Sequence, residues 1–113
     1  MRSYRHHFHA GNHADVLKHL VLMLLLEHLN QKETAFWFID THAGAGHYTL
    51  APLGAHAEWR NGIGRLWDTP GLSADLARFR ERIQSFNPSG TRRTYPGSPA
   101  WARMLCRPQD RLR

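Results

Sequence analysis

The chain has 113 residues, enough for one domain whose folding removes a little over ~60% of the surface its unfolded form exposes. Its 15 Lys and Arg stand against nine Asp and Glu, with a pI near 10.4, so an anionic partner such as nucleic acid is favoured over a plain solvated basic surface. One cysteine excludes an internal disulfide and suits a reducing compartment, and the longest apolar run, Leu20 to Leu26, is too short for a membrane span of ~20 residues.

Residues 1–12, MRSYRHHFHAGN, are aromatic, basic and histidine-rich without period, and read as an arm. The basic start resembles a secretory signal, but the apolar run leads into EHLNQKE with no small-residue cleavage site, so a cytoplasmic location is expected. Asn12 or His13 opens a helix that runs to about Leu29, with Asp15 in its first turn. Val16, Leu17, Leu20, Val21, Met23, Leu24, Leu25 and Leu29 cover most of its circumference, which predicts burial on more than one side. Lys18 stands one turn from the helix start, beside the arm.

After a polar turn at 30–34, AFWFID at 35–40 is aromatic and branched without alternation, as in a fully buried parallel strand. THAGAG follows as a loop. Residues 57–67 are weakly helical, interrupted by Gly62 and Gly64. Ser73 caps a better helix to Phe86, with Asp75 in the first turn and Leu76, Phe79, Ile83 and Phe86 on one stripe. TYPGSP at 94–99 reads as a proline-rich turn, and 100–107 as a helix stopped by Pro108. From Arg78 to Arg113 there are nine arginines and two acids, and guanidinium forks suit phosphate oxygens.

A strand, an acid near its end and a glycine loop form the arrangement with which open α/β sheets bind nucleotides, outside the carboxyl end of the strand. Glycine leaves the ligand room to approach the backbone. GxxxxGK[ST] and GxGxxG are both absent. Asp40-x-His42-x-Gly44-x-Gly46 instead resembles the first motif of S-adenosylmethionine-dependent methyltransferases, D/E-x-G-x-G-x-G, with one glycine replaced. The plainer reading is a tight strand–helix turn without a ligand. His6, His7, His9 and His13 are candidate zinc ligands, but no partner cysteine or HExxH accompanies them, and no metal is expected. The same arm, with Tyr4, Arg5 and Phe8, can stack on bases and touch phosphates.

SYRHHFHAGNHADVLKH at 3–19, DTHAGAG at 40–46 and YPGSP at 95–99 together resemble the RlmJ-type 23S rRNA adenine-N6 methyltransferases. The resemblance runs through all 113 residues, although members of that family are more than twice as long. It implies a Rossmann-like α/β methyltransferase fold using S-adenosylmethionine. The arm and cap helix would occupy 1–30, the first strand and cofactor loop 35–46, a helical insertion 50–94, and a return toward the sheet 95–113. Carried over by position, His19, His42 and Ser98 would contact the cofactor beside Asp40, Gly44 and Gly46, with Lys18 nearby. Tyr4 and His6 would approach the target adenine in 23S rRNA. The intact enzyme is expected to be a monomer, without membrane or metal.

The D-P-P-[YF] motif with which such enzymes hold the exocyclic amine does not occur here. Nor does the acid expected after the second strand to hold the ribose hydroxyls. The chain is therefore expected to be an N-terminal portion, without catalytic residues of its own and inactive alone. AFWFID is expected to lack a parallel neighbour within the chain. The competing expectations are a non-catalytic basic RNA-binding module, which would ignore S-adenosylmethionine, and a small metal-dependent hydrolase built on the histidine arm.

Overall fold

A computed structural model describes residues 9–41, 44–50, 58–88 and 94–113. Helix α1 spans His13–Leu29, and its start follows from side-chain chemistry. Asn12 Oδ1 accepts from the Asp15 amide at 2.9 Å, while Asp15 Oδ2 accepts from the Gly11 amide at 3.0 Å. Two amides at a helix start, which lack intrahelical partners, are thereby satisfied reciprocally. Gly11 has φ +75°, a conformation that glycine adopts without a side-chain penalty. The Gly11 carbonyl also accepts from the Ile63 amide at 2.9 Å.

About half of the circumference of α1 faces the core, with Val16, Leu20, Leu22 and Leu24 half-buried against it. Asp15, His19, Met23 and Leu26 are buried. Leu17, Val21, Leu25 and Leu29 recur every fourth residue on another face and are 44–63% exposed. Burial on more than one side, expected from the composition of this helix, is found in part: the helix packs against both the 74–85 and the 98–105 helices, while the Leu17–Leu29 face stays open. A helix with leucine all round tells how many faces could be buried, and the neighbours present decide how many are.

The remaining elements, in chain order, are β1 (Trp37–Phe38), β2 (His47–Thr49), a 3₁₀ turn (Glu58–Asn61), α2 (Ile63–Leu66), α3 (Ala74–Ser85), β3 (Thr94–Pro96), α4 (Ser98–Leu105) and β4 (Arg111–Leu112). Ser73 caps α3 as its sequence requires. The core gathers Met23 and Leu26 from α1, Phe79 and Ile83 from α3, Tyr95 from β3, and Trp101 and Leu105 from α4. Asn30 fastens the end of α1 to α4 by donating its side-chain amide to the Leu105 carbonyl at 2.8 Å.

β1 pairs in parallel with β4, with Trp37 opposite Arg111 and Phe38 opposite Leu112. The Arg111 amide donates to the Phe36 carbonyl, Arg113 to Phe38, and Asp40 to Arg113. The expectation that AFWFID lacks a parallel neighbour is thus wrong: the second strand lies in the residues around RLR. Full burial of β1 also fails, since Trp37 and Ile39 are 57% and 55% exposed while Phe36 and Phe38 turn inward. A second pair, β2 with β3, is antiparallel, with Tyr48 opposite Tyr95. The residues after the glycine loop therefore form a strand, where a strand–helix turn was one expectation.

Asp110 fixes the parallel pair. Its carboxylate accepts from the Phe36 amide at 3.0 Å, the Arg107 amide at 2.8 Å and the Arg107 guanidinium at 3.1 Å. Arg107 in turn donates to the Thr34 carbonyl at 3.0 Å and to that of Lys32. The Arg107 side chain, followed by these backbone donors, holds the Asp110 carboxyl down at about 2 against an ordinary 3.8. A carboxylate with a depressed value stabilises the fold fully above its unfolded pKa and loses that contribution as pH falls through the folded one. Unfolding stability should therefore decline from about pH 4 to about pH 2 with a component that Asp110→Asn removes. Denaturant titrations across that range check this, and an unaltered slope in Asp110→Asn refutes it.

Candidate functional site

An open cleft of about 1070 Å³ lies where the start of α1, the glycine loop, β2 and the start of α4 meet. It is at the upper end of the ~300–1,000 Å³ typical of small-molecule sites. Lys18, His19, Gly44 and Ser98 all line it, although they come from three separate parts of the sequence. His9, named in the sequence only as a candidate zinc ligand, lines it too, as do Asn12, Asp15, Tyr48 and Gly97, which were not singled out as site residues.

The cleft floor is a buried polar trio, His19, Tyr95 and Ser98. His19, 1% exposed, stands 2.8 Å by Nδ1 from Tyr95 Oη and 3.1 Å by Nε2 from Ser98 Oγ. Its ring lies along Trp101, with centroids 6.2 Å apart and planes 21° apart. Two turns of α1 thus reach the β3–α4 junction through an imidazole that is held on both nitrogens. Burial pushes the Tyr95 phenol well above its ordinary value, and the charge of Asp15 adds to this, so the phenol stays protonated.

The rim carries charged and polar side chains. Lys18 is exposed. His9 Nδ1 lies 2.6 Å from Glu58 Oε2, and Asn12 donates to Glu58 Oε1 at 3.4 Å. Glu58 thereby joins the end of the arm to the segment that follows β2. The described residues contain no set of three or more His, Cys, Asp or Glu able to hold a metal ion, and no described helix is long and apolar enough to cross a membrane.

The glycine loop is shaped by protein as well as by open space. A Cβ at Gly44 would come 2.3 Å from Tyr48 Oη, which itself accepts from the Ala45 amide at 3.1 Å. Tyr48 thus fills the position next to Gly44 where a ligand was expected. A Cβ at Gly46 would meet nothing within 4 Å. Gly46 faces a second cavity, with Arg103 and Met104, and Asp40 a third, with Phe38 and Arg113. Neither Asp40 nor Gly46 lines the cleft with His19 and Ser98, although the Gly46 carbonyl accepts from the Gly97 amide at 3.0 Å. Tyr4, His6 and His42 lie outside the described residues. Nothing in the sequence pattern marks Tyr48 as a loop contact. Tyr95 and Gly97 fall within the YPGSP segment, which did carry a signal.

The family model described as "Ribosomal RNA large subunit methyltransferase D, RlmJ" matches residues 33–113. Over 98% of its length the chain is 52% identical to Ribosomal RNA large subunit methyltransferase J of Haemophilus influenzae. Over 99% it is 51% identical to the protein of that name from Escherichia coli. The chain spans 41% of the length of each of these relatives. The crystal structure of protein LPL1258 from Legionella pneumophila is similar with a TM-score of 0.82 at 38% identity, covering 91% of this chain and 38% of that one.

Proposed function

The chain belongs to the RlmJ family of ribosomal RNA large subunit methyltransferases, and from that premise we propose that it forms the cofactor cleft and RNA-facing arm of an S-adenosylmethionine-dependent adenine-N6 methyltransferase acting on 23S rRNA. The observation that carries this reading is the meeting of Lys18, His19, Gly44 and Ser98 around one cleft of ligand size. A Rossmann-like fold is part of the proposal, supported by the parallel β1–β4 pair with a glycine loop beyond the carboxyl end of β1.

The cleft suits a ligand with a carboxylate and many acceptor atoms. Lys18 offers a cation at the rim, Ser98 and His19 offer hydroxyl and imidazole groups at the floor, and the exposed loop at 44–46 leaves backbone within reach. S-adenosylmethionine, when bound, supplies an electrophilic methyl group on a sulfonium. Lys18 and Ser98 would hold and orient its polar end, with His19 acting through Ser98 and His42 beside the loop. Tyr4 and His6 would hold the adenine, which must leave its stack to be reached. The adenine amine is a poor nucleophile while its lone pair is delocalised, so alignment of amine and methyl would supply most of the rate. D-P-P-[YF], which would supply the acceptors for that amine, does not occur in the sequence, and Asp110 is committed to Arg107 and Phe36.

Two substitutions in the full-length protein test the division of roles. Lys18→Ala should weaken S-adenosylmethionine binding about tenfold, the scale of one lost charge-assisted contact. Tyr4→Ala should lower methyl transfer to unmodified 23S rRNA and leave cofactor affinity unchanged. Calorimetry with the cofactor and a labelled-methyl assay read the two effects. RNA binding without any affinity for S-adenosylmethionine would instead identify a non-catalytic RNA-binding module.

A further inference from the structure

The Ser98 hydroxyl faces the cleft and can either give or take a hydrogen bond, and two buried residues decide which. His19 Nε2 lies 3.1 Å from Ser98 Oγ, and His19 Nδ1 lies 2.8 Å from Tyr95 Oη. A neutral imidazole donates from one nitrogen and accepts at the other. If Nδ1 carried the proton, Tyr95 Oη would accept it. The phenol's own hydrogen would then have to find another acceptor inside a core where Tyr95 is 0% exposed. A buried donor left unmade loses its hydration without compensation. An imidazolium would raise the same difficulty and add a buried charge beside Trp101.

With the proton on Nε2 all three groups are used. Tyr95 O–H donates to Nδ1, Nε2–H donates to Ser98 Oγ, and the Ser98 hydrogen is left to point into the cleft. We propose that Tyr95 is a positioning residue which, through the Nε2–H tautomer of His19, makes Ser98 a hydrogen-bond donor to a carboxylate oxygen of the bound ligand. This rests on the assignment of the cleft to S-adenosylmethionine, the amino-acid end of which carries such a carboxylate. Trp101 keeps the imidazole plane fixed by stacking, and Gly97 lets the start of α4 lie against the loop.

The test uses the full-length protein labelled with ¹⁵N-histidine, free of ligand, and then calorimetry with S-adenosylmethionine. The His19 ring is expected to show the Nε2–H tautomer. Tyr95→Phe keeps the ring and removes only the hydroxyl, so the fold should hold while His19 becomes a mixture of tautomers. Cofactor affinity should fall about tenfold in Tyr95→Phe, and adding that change to Ser98→Ala should cost little more, because both act through one hydrogen bond. An Nδ1–H tautomer in the unmodified protein overturns the proposal without reference to any variant. Independent, additive losses from Tyr95→Phe and Ser98→Ala overturn it as well. Absence of S-adenosylmethionine binding by the unmodified protein, with the Nε2–H tautomer present, refutes the cofactor assignment and the carboxylate partner of Ser98 with it.

Discussion

Trp101→Ala should lower the unfolding free energy by about 3–5 kcal/mol, the range for removing a large aromatic from a packed core. Trp101 is 0% exposed and lies between two rings: Phe79, with centroids 5.0 Å apart and planes 10° apart, and His19 on the cleft side. Its indole nitrogen has no hydrogen-bond partner among the described residues. An unpaired donor costs about 1–3 kcal/mol. Burying ~200 Å² of indole at ~25 cal/mol per Å² contributes about 5 kcal/mol, so burial wins. That balance yields a second expectation. Trp101→Phe keeps the stack on Phe79 and discards the orphan N–H, so it should lose less than half of what Trp101→Ala loses. Urea unfolding followed by circular dichroism measures both. A Trp101→Ala variant within about 1 kcal/mol of the parent would mean that this indole does not support the core as its burial implies.

The same residue links stability to the site, since the imidazole that Trp101 supports is the one that reaches Ser98. Loss of the indole should therefore loosen the cleft floor before it unfolds the chain. Trp101→Ala should show weakened S-adenosylmethionine binding even at temperatures where its secondary structure is retained.

The helices were readable from local chemistry. Asn12 with Asp15, and Ser73 with Asp75, are start signals that need no tertiary information, and both helices begin where these residues stand. The strands were readable only in part. AFWFID has a pattern, whereas β2, β3 and β4 have two or three residues each, too few to show any period. β4 begins with Arg111 and is followed by Arg113, and β3 ends in Pro96, so neither carries a strand pattern of its own, and their pairing is set by contacts distant in sequence. The exposed leucine stripe of α1 could not be foreseen from a helix that is apolar nearly all round. At the site, the glycine loop was visible but its neighbour was not: the atom nearest a Cβ on Gly44 belongs to Tyr48, four residues on. His19 and Ser98, 79 positions apart, were connected in advance through family resemblance alone.

Gly97→Ala should weaken S-adenosylmethionine binding about 100-fold, because it displaces the loop that lines the cleft. The obstacle is space and not backbone conformation, since φ −78° and ψ 174° are open to any residue. A Cβ here would stand 2.1 Å from the Ala45 carbonyl oxygen and 3.1 Å from Tyr48 Cε2. The first of these is backbone and has no rotamer by which to escape. Gly97 also donates its amide to the Gly46 carbonyl at 3.0 Å, so the same residue that would push the loop away now holds it. To restore a normal contact the loop must move by about 1 Å, and misplacement of that size costs on the order of 10²-fold where groups act by alignment. Gly44→Ala offers a graded comparison: its Cβ would meet the end of the Tyr48 side chain, which can rotate aside. Gly46→Ala is the control, because a Cβ there meets nothing within 4 Å and its φ is not in the left-handed region. The expected order of cofactor affinity in the full-length protein is parent and Gly46→Ala highest, Gly44→Ala intermediate, Gly97→Ala lowest, with melting temperatures measured alongside. Parent-like affinity in Gly97→Ala would remove the loop from the cofactor site. A large loss in Gly46→Ala, with the fold intact, would instead place ligand in the open space beside Gly46 and move the site toward the cavity that it shares with Arg103.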